Sequence, residues 1–247
     1  MVSPPAGRSP LRALSSPRAA AARYIAAVAR TLELYFDFIS PYAYLAWTQI
    51  HRLADAHGAV VAPRPILFAA LLDANQTKGP AEIPAKRVWV FKDTFRRAAY
   101  AGVPFAPPPA HPFNPLLALR IASADQPEEE RRLAIDTLFR AVWGGGPGVS
   151  EEATVRELLT TAGLDGGALV EAARSPEVKA RVRARTEEAL SRGVFGVPTM
   201  VVDEELFWGF DAFDHLERFL DGRDVLAPSE LVRWRDLPAS SQRKAAQ

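Results

Sequence analysis

The folded pattern begins with a strand that runs directly into a helix. Apolar side chains alternate along Leu32–Phe38, which is the period of a β-strand. Ser40, a favoured N-cap, and Pro41, well suited to the first helical position, then predict a helix that ends near Gly58. A second strand follows at Val60–Ile66, where Pro63 and Pro65 indicate an edge position or a strand end. This strand, helix and strand imply a parallel, right-handed unit.

The pattern continues as helices and then as a hairpin. Two short apolar runs, Thr199–Val202 and Leu206–Trp208, predict antiparallel strands, and a last helix contains Phe213 and Leu220. Residues 68–192 are mostly helical, with helices predicted at 86–101, 116–124, 128–142, 155–162 and 177–192. We therefore predict an α/β fold in the order βαβ, large all-helical insertion, ββα.

Composition restricts the chemistry that this fold can carry. The 247 residues include no cysteine, which excludes disulfides, Cys-x-x-Cys redox chemistry, thiolate zinc sites and a cysteine nucleophile. The formal net charge of +1 provides no global attraction to nucleic acid or to an anionic membrane. No apolar stretch is long enough to span a bilayer. The 4 histidines lack the spacing of metal ligands, so we expect no metal site.

The two ends of the chain differ from the rest. Residues 1–30 are rich in arginine, alanine and proline and contain no acidic residue. This composition favours a disordered N-terminal extension, with an organelle transit peptide as the alternative. Residues 226–247 are predicted to form a C-terminal tail.

Three positions could carry chemistry, although each has a purely structural alternative. Ser40 lies where a helix N-terminus favours an anion, but it could simply cap the helix. The Val197–Pro198 bond precedes a strand, and it could be cis and expose backbone to a ligand, or be an ordinary trans bond. Asp211 could hold a ligand ammonium group or cap the last helix.

Taken together, these features resemble one family. The segments Tyr35–Leu45, Val194–Thr199 and Phe207–Asp211 are similar to motifs of the 2-hydroxychromene-2-carboxylate isomerases, relatives of kappa-class glutathione transferases and of DsbA oxidoreductases. The resemblance extends from about Leu32 to Leu220. It implies a thioredoxin-like domain formed by residues 31–67 and 193–225, with a helical domain of residues 68–192 inserted.

The resemblance also implies a source for the missing thiol, which is glutathione. Ser40 would stand where the oxidoreductases have their nucleophilic cysteine and would donate a hydrogen bond that favours the glutathione thiolate. The backbone of Val197, before a cis Pro198, would pair with the glutathione main chain. The γ-glutamyl end would bind the segment Trp208, Gly209, Phe210 and Asp211. The candidate substrate contacts are Tyr42, Asn75, Lys86, His111 and Asn114.

The implied reaction isomerises a small aromatic substrate that bears a pyruvate-like side chain, by reversible thiolate addition, bond rotation and elimination. A kappa-type transferase that releases the conjugate and a non-catalytic binding module are the alternatives. The chain reads Phe210-Asp211-Ala212 where the family often has Asn-Asp-Arg, and Leu72 lies where some members have a substrate-contacting lysine. We further expect a cytoplasmic protein that can form a homodimer.

Overall fold

The computed structural model describes residues 29–238 and 240–241. Within them the strands are β1 (Thr31–Phe36), β2 (Val60–Pro65), β3 (Thr199–Val202) and β4 (Glu205–Trp208). The α-helices are α1 (Pro41–Ala56), α2 (Phe68–Ala74), α3 (Pro84–Ala101), α4 (Leu116–Ser123), α5 (Glu128–Trp143), α6 (Glu152–Thr161), α7 (Gly166–Ala172), α8 (Pro176–Ser191), α9 (Phe213–Leu220) and α10 (Pro228–Arg235). Short 3₁₀ turns lie at Pro80–Glu82 and Phe210–Ala212.

The four strands form one mixed sheet in the order β2-β1-β3-β4. Strands β1 and β2 are parallel, and β3 is antiparallel to both β1 and β4. The edge position predicted for β2 is confirmed, and its prolines are tolerated there because one side of the strand needs no ladder partner. Asp203 and Glu204 form the turn of the predicted hairpin, with φ angles of 49° and 67° that suit a type I′ turn.

Strand β1 is buried on both faces, which its alternating pattern did not predict. Tyr35 is as fully buried as Phe36, and Glu33 is also buried. Phe36 packs against Phe139 of α5, whereas Tyr35 belongs to a second apolar cluster with Ala189 of α8. The reason is the central position of β1, which helices cover on both sides.

The segment between β2 and β3 is helical, as predicted, and carries α2 to α8. Helix α7 was not predicted because glycines occupy its first turn. A Cβ atom on Gly166 would lie 2.3 Å from the carbonyl oxygen of Arg156 in α6, so close helix packing requires a glycine here. The short helix α2 was also missed, since Leu67 provides no side-chain cap. Where the domains divide stays a prediction.

The ends of the chain are only partly described. The predicted N-terminal extension lies outside the described residues except for positions 29 and 30. The stretch predicted as a C-terminal tail contains helix α10 at residues 228–235, and its status as a tail stays a prediction. Among the helices of residues 29–238, none is both long enough and apolar enough to cross a lipid bilayer.

Candidate active site

Ser40 caps the N-terminus of α1, as predicted. Its φ and ψ of −94° and 117° are extended, and its Oγ accepts a hydrogen bond from the backbone N–H of Ala43 at 3.2 Å. Pro41 occupies the first helical turn. The Ser40 side chain therefore lies at the positive end of a 16-residue helix dipole, at the point where β1 has just ended.

A second segment, 157 residues further along the chain, meets Ser40. The Val197–Pro198 peptide bond is cis, so the cis alternative for this bond is confirmed. That the Val197 backbone binds a ligand stays a prediction. The Ser40 hydroxyl donates to the Val197 carbonyl oxygen at 3.4 Å, near the upper limit of a hydrogen bond. Ser40 is 8% exposed. Its hydroxyl is thus held weakly and can turn toward a ligand.

The segment that follows β4 continues the same surface. The backbone N–H of Gly209 donates to the Pro198 carbonyl at 2.9 Å, and Gly209 has a φ of 93° that favours glycine. Asp211 lies in the 3₁₀ turn with an exposed side chain. Helix α9 begins only at Phe213, with Ala212 as its N-cap and no side-chain cap, so the capping alternative for Asp211 was wrong.

Trp208 covers the backbone next to the cis bond. Its indole is 54% exposed and packs edge-on against Phe195, with ring centroids 4.9 Å apart. A Cβ atom on Gly196 would lie 2.4 Å from the indole Nε1. Only glycine at position 196 therefore lets Trp208 approach this closely, and the indole forms an exposed aromatic wall beside Val197.

Two side chains of the helical insertion hold the loop that precedes Ser40. His111 Nε2 lies 3.0 Å from the carbonyl oxygen of Ile39, and Trp143 Nε1 donates to that of Phe38 at 2.8 Å. Burial lowers the pKa of His111, which favours the neutral ring with Nε2–H as the donor. His111, predicted as a substrate contact, thus has a positioning contact to the Ser40 loop.

The other predicted substrate residues have different surroundings. Tyr42 donates to Asp93 Oδ2 at 2.8 Å, and burial together with this carboxylate raises the pKa of the phenol. The amide of Asn75 donates to the Leu71 carbonyl, and that of Asn114 accepts from the Leu116 N–H. Lys86 is exposed in the first turn of α3. Both asparagines thus make local contacts at helix ends.

Asp37 is a site residue that the sequence analysis did not single out. It is 1% exposed, and its carboxyl oxygens accept from the N–H groups of Ile39 at 3.1 Å and Phe68 at 2.9 Å. Burial raises the pKa of Asp37 to about 7, although the two hydrogen bonds act in the opposite direction. The only sequence signal was an acidic residue within an apolar strand.

Comparison with known proteins identifies the family. Residues 31–221 match the family model of the DsbA-like thioredoxin domain. The chain is 33% identical to a 2-hydroxychromene-2-carboxylate isomerase of Sphingobium xenophagum over 77% of its own length and 98% of that protein. It is 27% identical to glutathione S-transferase kappa 2 of Caenorhabditis elegans, over 71% of this chain and 82% of that one.

Solved structures agree with this assignment. A structure of 2-hydroxychromene-2-carboxylate isomerase superposes with a TM-score of 0.71 at 26% identity, covering 83% of this chain and 97% of that one. A probable DsbA oxidoreductase from Streptomyces coelicolor, 18% identical, shares the fold with a TM-score of 0.60 over 80% of this chain and 92% of its own. The chain therefore belongs to the DsbA-like thioredoxin family, and within it to the enzymes of the 2-hydroxychromene-2-carboxylate isomerase type.

Proposed function

We propose that this enzyme uses glutathione to isomerise 2-hydroxychromene-2-carboxylate-like aromatic compounds. The single observation that carries the proposal is the position of Ser40, whose hydroxyl lies at the N-terminus of α1 and faces the carbonyl before the cis Pro198. A chain without cysteine needs a thiol from outside for this chemistry. Glutathione would supply, when bound, the thiol for reversible addition to a conjugated carbon of the substrate, which is the chemistry that bond rotation requires.

The residues present fit glutathione. The exposed carboxylate of Asp211 can bind the γ-glutamyl ammonium group, and the exposed indole of Trp208 can cover the peptide. The backbone of Val197, two residues before β3, is the candidate for strand-like pairing with a peptide main chain. These three features lie along one continuous stretch of the surface, because Gly209 is hydrogen-bonded to Pro198.

Ser40 would keep the thiol ionised. A hydroxyl that donates to sulfur favours the thiolate, and the helix dipole of α1 acts in the same direction. The weak contact of 3.4 Å to Val197 can be exchanged for this bond with little loss. His111 and Trp143 fix the carbonyls of the preceding loop and so hold Ser40 in place.

The insertion offers the surface on which the aromatic substrate would bind. The centroid of the half-buried Phe91 ring lies 5.5 Å from that of the His111 ring, and the centroid of the Phe113 ring lies 6.3 Å from it. Together these rings form an apolar wall beside the Ser40 loop. Lys86, exposed on α3, is the candidate cation for the substrate carboxylate.

The glutathione balance tests this function. We expect 2-hydroxychromene-2-carboxylate to be converted many times over by a substoichiometric amount of glutathione, because the thiol is regenerated in each turnover. Product formation and free thiol are measured together, with a sample lacking glutathione as the control. Loss of one glutathione per product would instead identify a kappa-type transferase, and conversion that does not respond to glutathione would reject the proposal.

A further inference from the structure

Arg97 of α3 is held at the start of α1 by a shared carboxylate. Its Nε donates to Asp93 Oδ2 at 2.6 Å, and the Tyr42 hydroxyl donates to the same oxygen at 2.8 Å. Tyr42 lies only two residues after Ser40, in the first turn of α1. Asp93 thus fixes the Arg97 guanidinium beside the helix end at which we propose the thiol to bind.

Asp211 is a second acidic residue whose charge acts on this guanidinium. Helix α1 contacts the 3₁₀ turn that contains Asp211. The hydrogen bond to Asp93 is the main cause of a raised pKa of Arg97, and the charges of Asp93 and Asp211 add to it. Within residues 29–238, however, the ion pair of Arg97 is with Asp93, and Asp211 forms none with it. A cation and an exposed carboxylate therefore lie near each other without direct contact.

This arrangement is complementary to an α-amino acid group. An ammonium group would bind Asp211, and the neighbouring carboxylate would bind the Nη groups of Arg97, whose planar fork suits carboxylates. In residues 29–238 the hydrogen bonds of Arg97 involve only its Nε, so both Nη groups remain for a ligand. The arginine is half-buried, which limits the screening of its charge by water.

We propose that Arg97 binds the α-carboxylate of the γ-glutamyl group while Asp211 binds its ammonium. This inference rests on the proposed use of glutathione and names a specificity residue for it. It also provides a partner that the segment itself lacks, since Phe210 and Ala212 flank Asp211 with apolar side chains. The helical insertion would then contribute directly to recognition of the cofactor.

Two truncated peptides separate the two charges. γ-Aminobutyryl-cysteinylglycine lacks the α-carboxylate, and glutaryl-cysteinylglycine lacks the ammonium group. We expect Arg97→Gln to weaken glutathione and the glutaryl peptide by about tenfold to a hundredfold, the usual effect of a charge-assisted hydrogen bond. The aminobutyryl peptide should bind this variant as it binds wild type. Asp211→Asn should weaken glutathione and the aminobutyryl peptide, whereas the glutaryl peptide should bind this variant as it binds wild type. Calorimetric titration measures all three affinities.

Lys92→Gln is the matched control. Lys92 is exposed on α3, the helix that carries Arg97, and its replacement removes the same single positive charge. Its affinities should equal those of wild type. Unchanged binding of the aminobutyryl peptide also shows that Arg97→Gln is folded. If wild type binds glutathione but Arg97→Gln weakens all three peptides alike, or none, the role of Arg97 is overturned and the proposed function stands. If wild type binds none of them, glutathione use itself is rejected.

Discussion

Replacing Ser40 by alanine should lower kcat/KM by about a hundredfold to a thousandfold, the usual effect of removing one donor to a developing or stabilised anion. The variant loses the hydroxyl proposed to hold the glutathione thiolate, while the helix dipole of α1 remains. We therefore also expect a higher pKa for the bound thiol, measured by the ultraviolet absorbance of the thiolate against pH. The free energy of unfolding should fall by only about 1 kcal/mol, the cost of a lost N-cap.

Ser175→Ala provides a close control for this variant. Ser175 caps α8, is followed by Pro176, and accepts from the Val178 N–H at 3.2 Å, the same distance as from Ala43 to Ser40. Its loss should destabilise the protein by a similar amount without changing kcat/KM or the thiol pKa. If Ser40→Ala behaves like Ser175→Ala in every respect, Ser40 is only a helix cap and the mechanism is wrong.

Local signals account for the parts of the site that could be predicted. A serine and a proline at a strand end specify the start of α1 by their own backbone preferences, and the structure confirms this cap. The cis Val197–Pro198 bond could be expected only from the family resemblance, because the residue pair alone favours trans. The cap therefore follows from adjacent residues alone, whereas the cis bond does not.

The remaining parts depend on contacts between distant segments. Trp143 reaches the Phe38 carbonyl across 105 residues, and Tyr42 meets Asp93 across 51. Neither pairing leaves a trace in hydrophobic period or residue spacing. The resemblance gives His111 as a substrate contact, and only the fold shows that its ring also meets the Ile39 carbonyl. The position of the Arg97–Asp93 ion pair next to the start of α1 likewise depends on the packing of α3 against α1.

The burial of Asp37 is another feature that the sequence pattern does not reveal, and it changes how the stability of the protein depends on pH. In the folded chain its pKa is about 7, whereas the ordinary value is 3.8. At pH values between these two pKa values, Asp37 keeps its proton in the folded state but loses it in the unfolded state. The free energy of unfolding therefore falls as pH rises through this range. The full difference amounts to about 4 kcal/mol at and above neutral pH. It is absent in acid, where both states are protonated.

Histidines oppose this trend in the wild-type curve. Burial lowers the pKa of His51 to about 4, and that of His111 is lowered as well. Below their ordinary value of 6.5 the unfolded state binds the additional protons, so these groups make the protein more stable as pH rises. The pH dependence of wild type alone therefore does not isolate Asp37, and a difference between two proteins is needed.

Asp37→Asn provides that difference. The asparagine amide cannot ionise, so the variant escapes the loss of stability that wild type suffers as Asp37 ionises. The free energy of unfolding of the variant minus that of wild type should therefore increase by about 4 kcal/mol between pH 4 and pH 8. The amide nitrogen cannot accept a hydrogen bond, so the variant loses the one from either Ile39 or Phe68. This loss lowers the free energy of unfolding by an amount that does not vary with pH. Urea unfolding at a series of pH values measures the curve, and Ser175→Ala should run parallel to wild type. A constant difference for Asp37→Asn would mean that this carboxyl ionises alike in both states, and that burial at the end of β1 does not hold its proton.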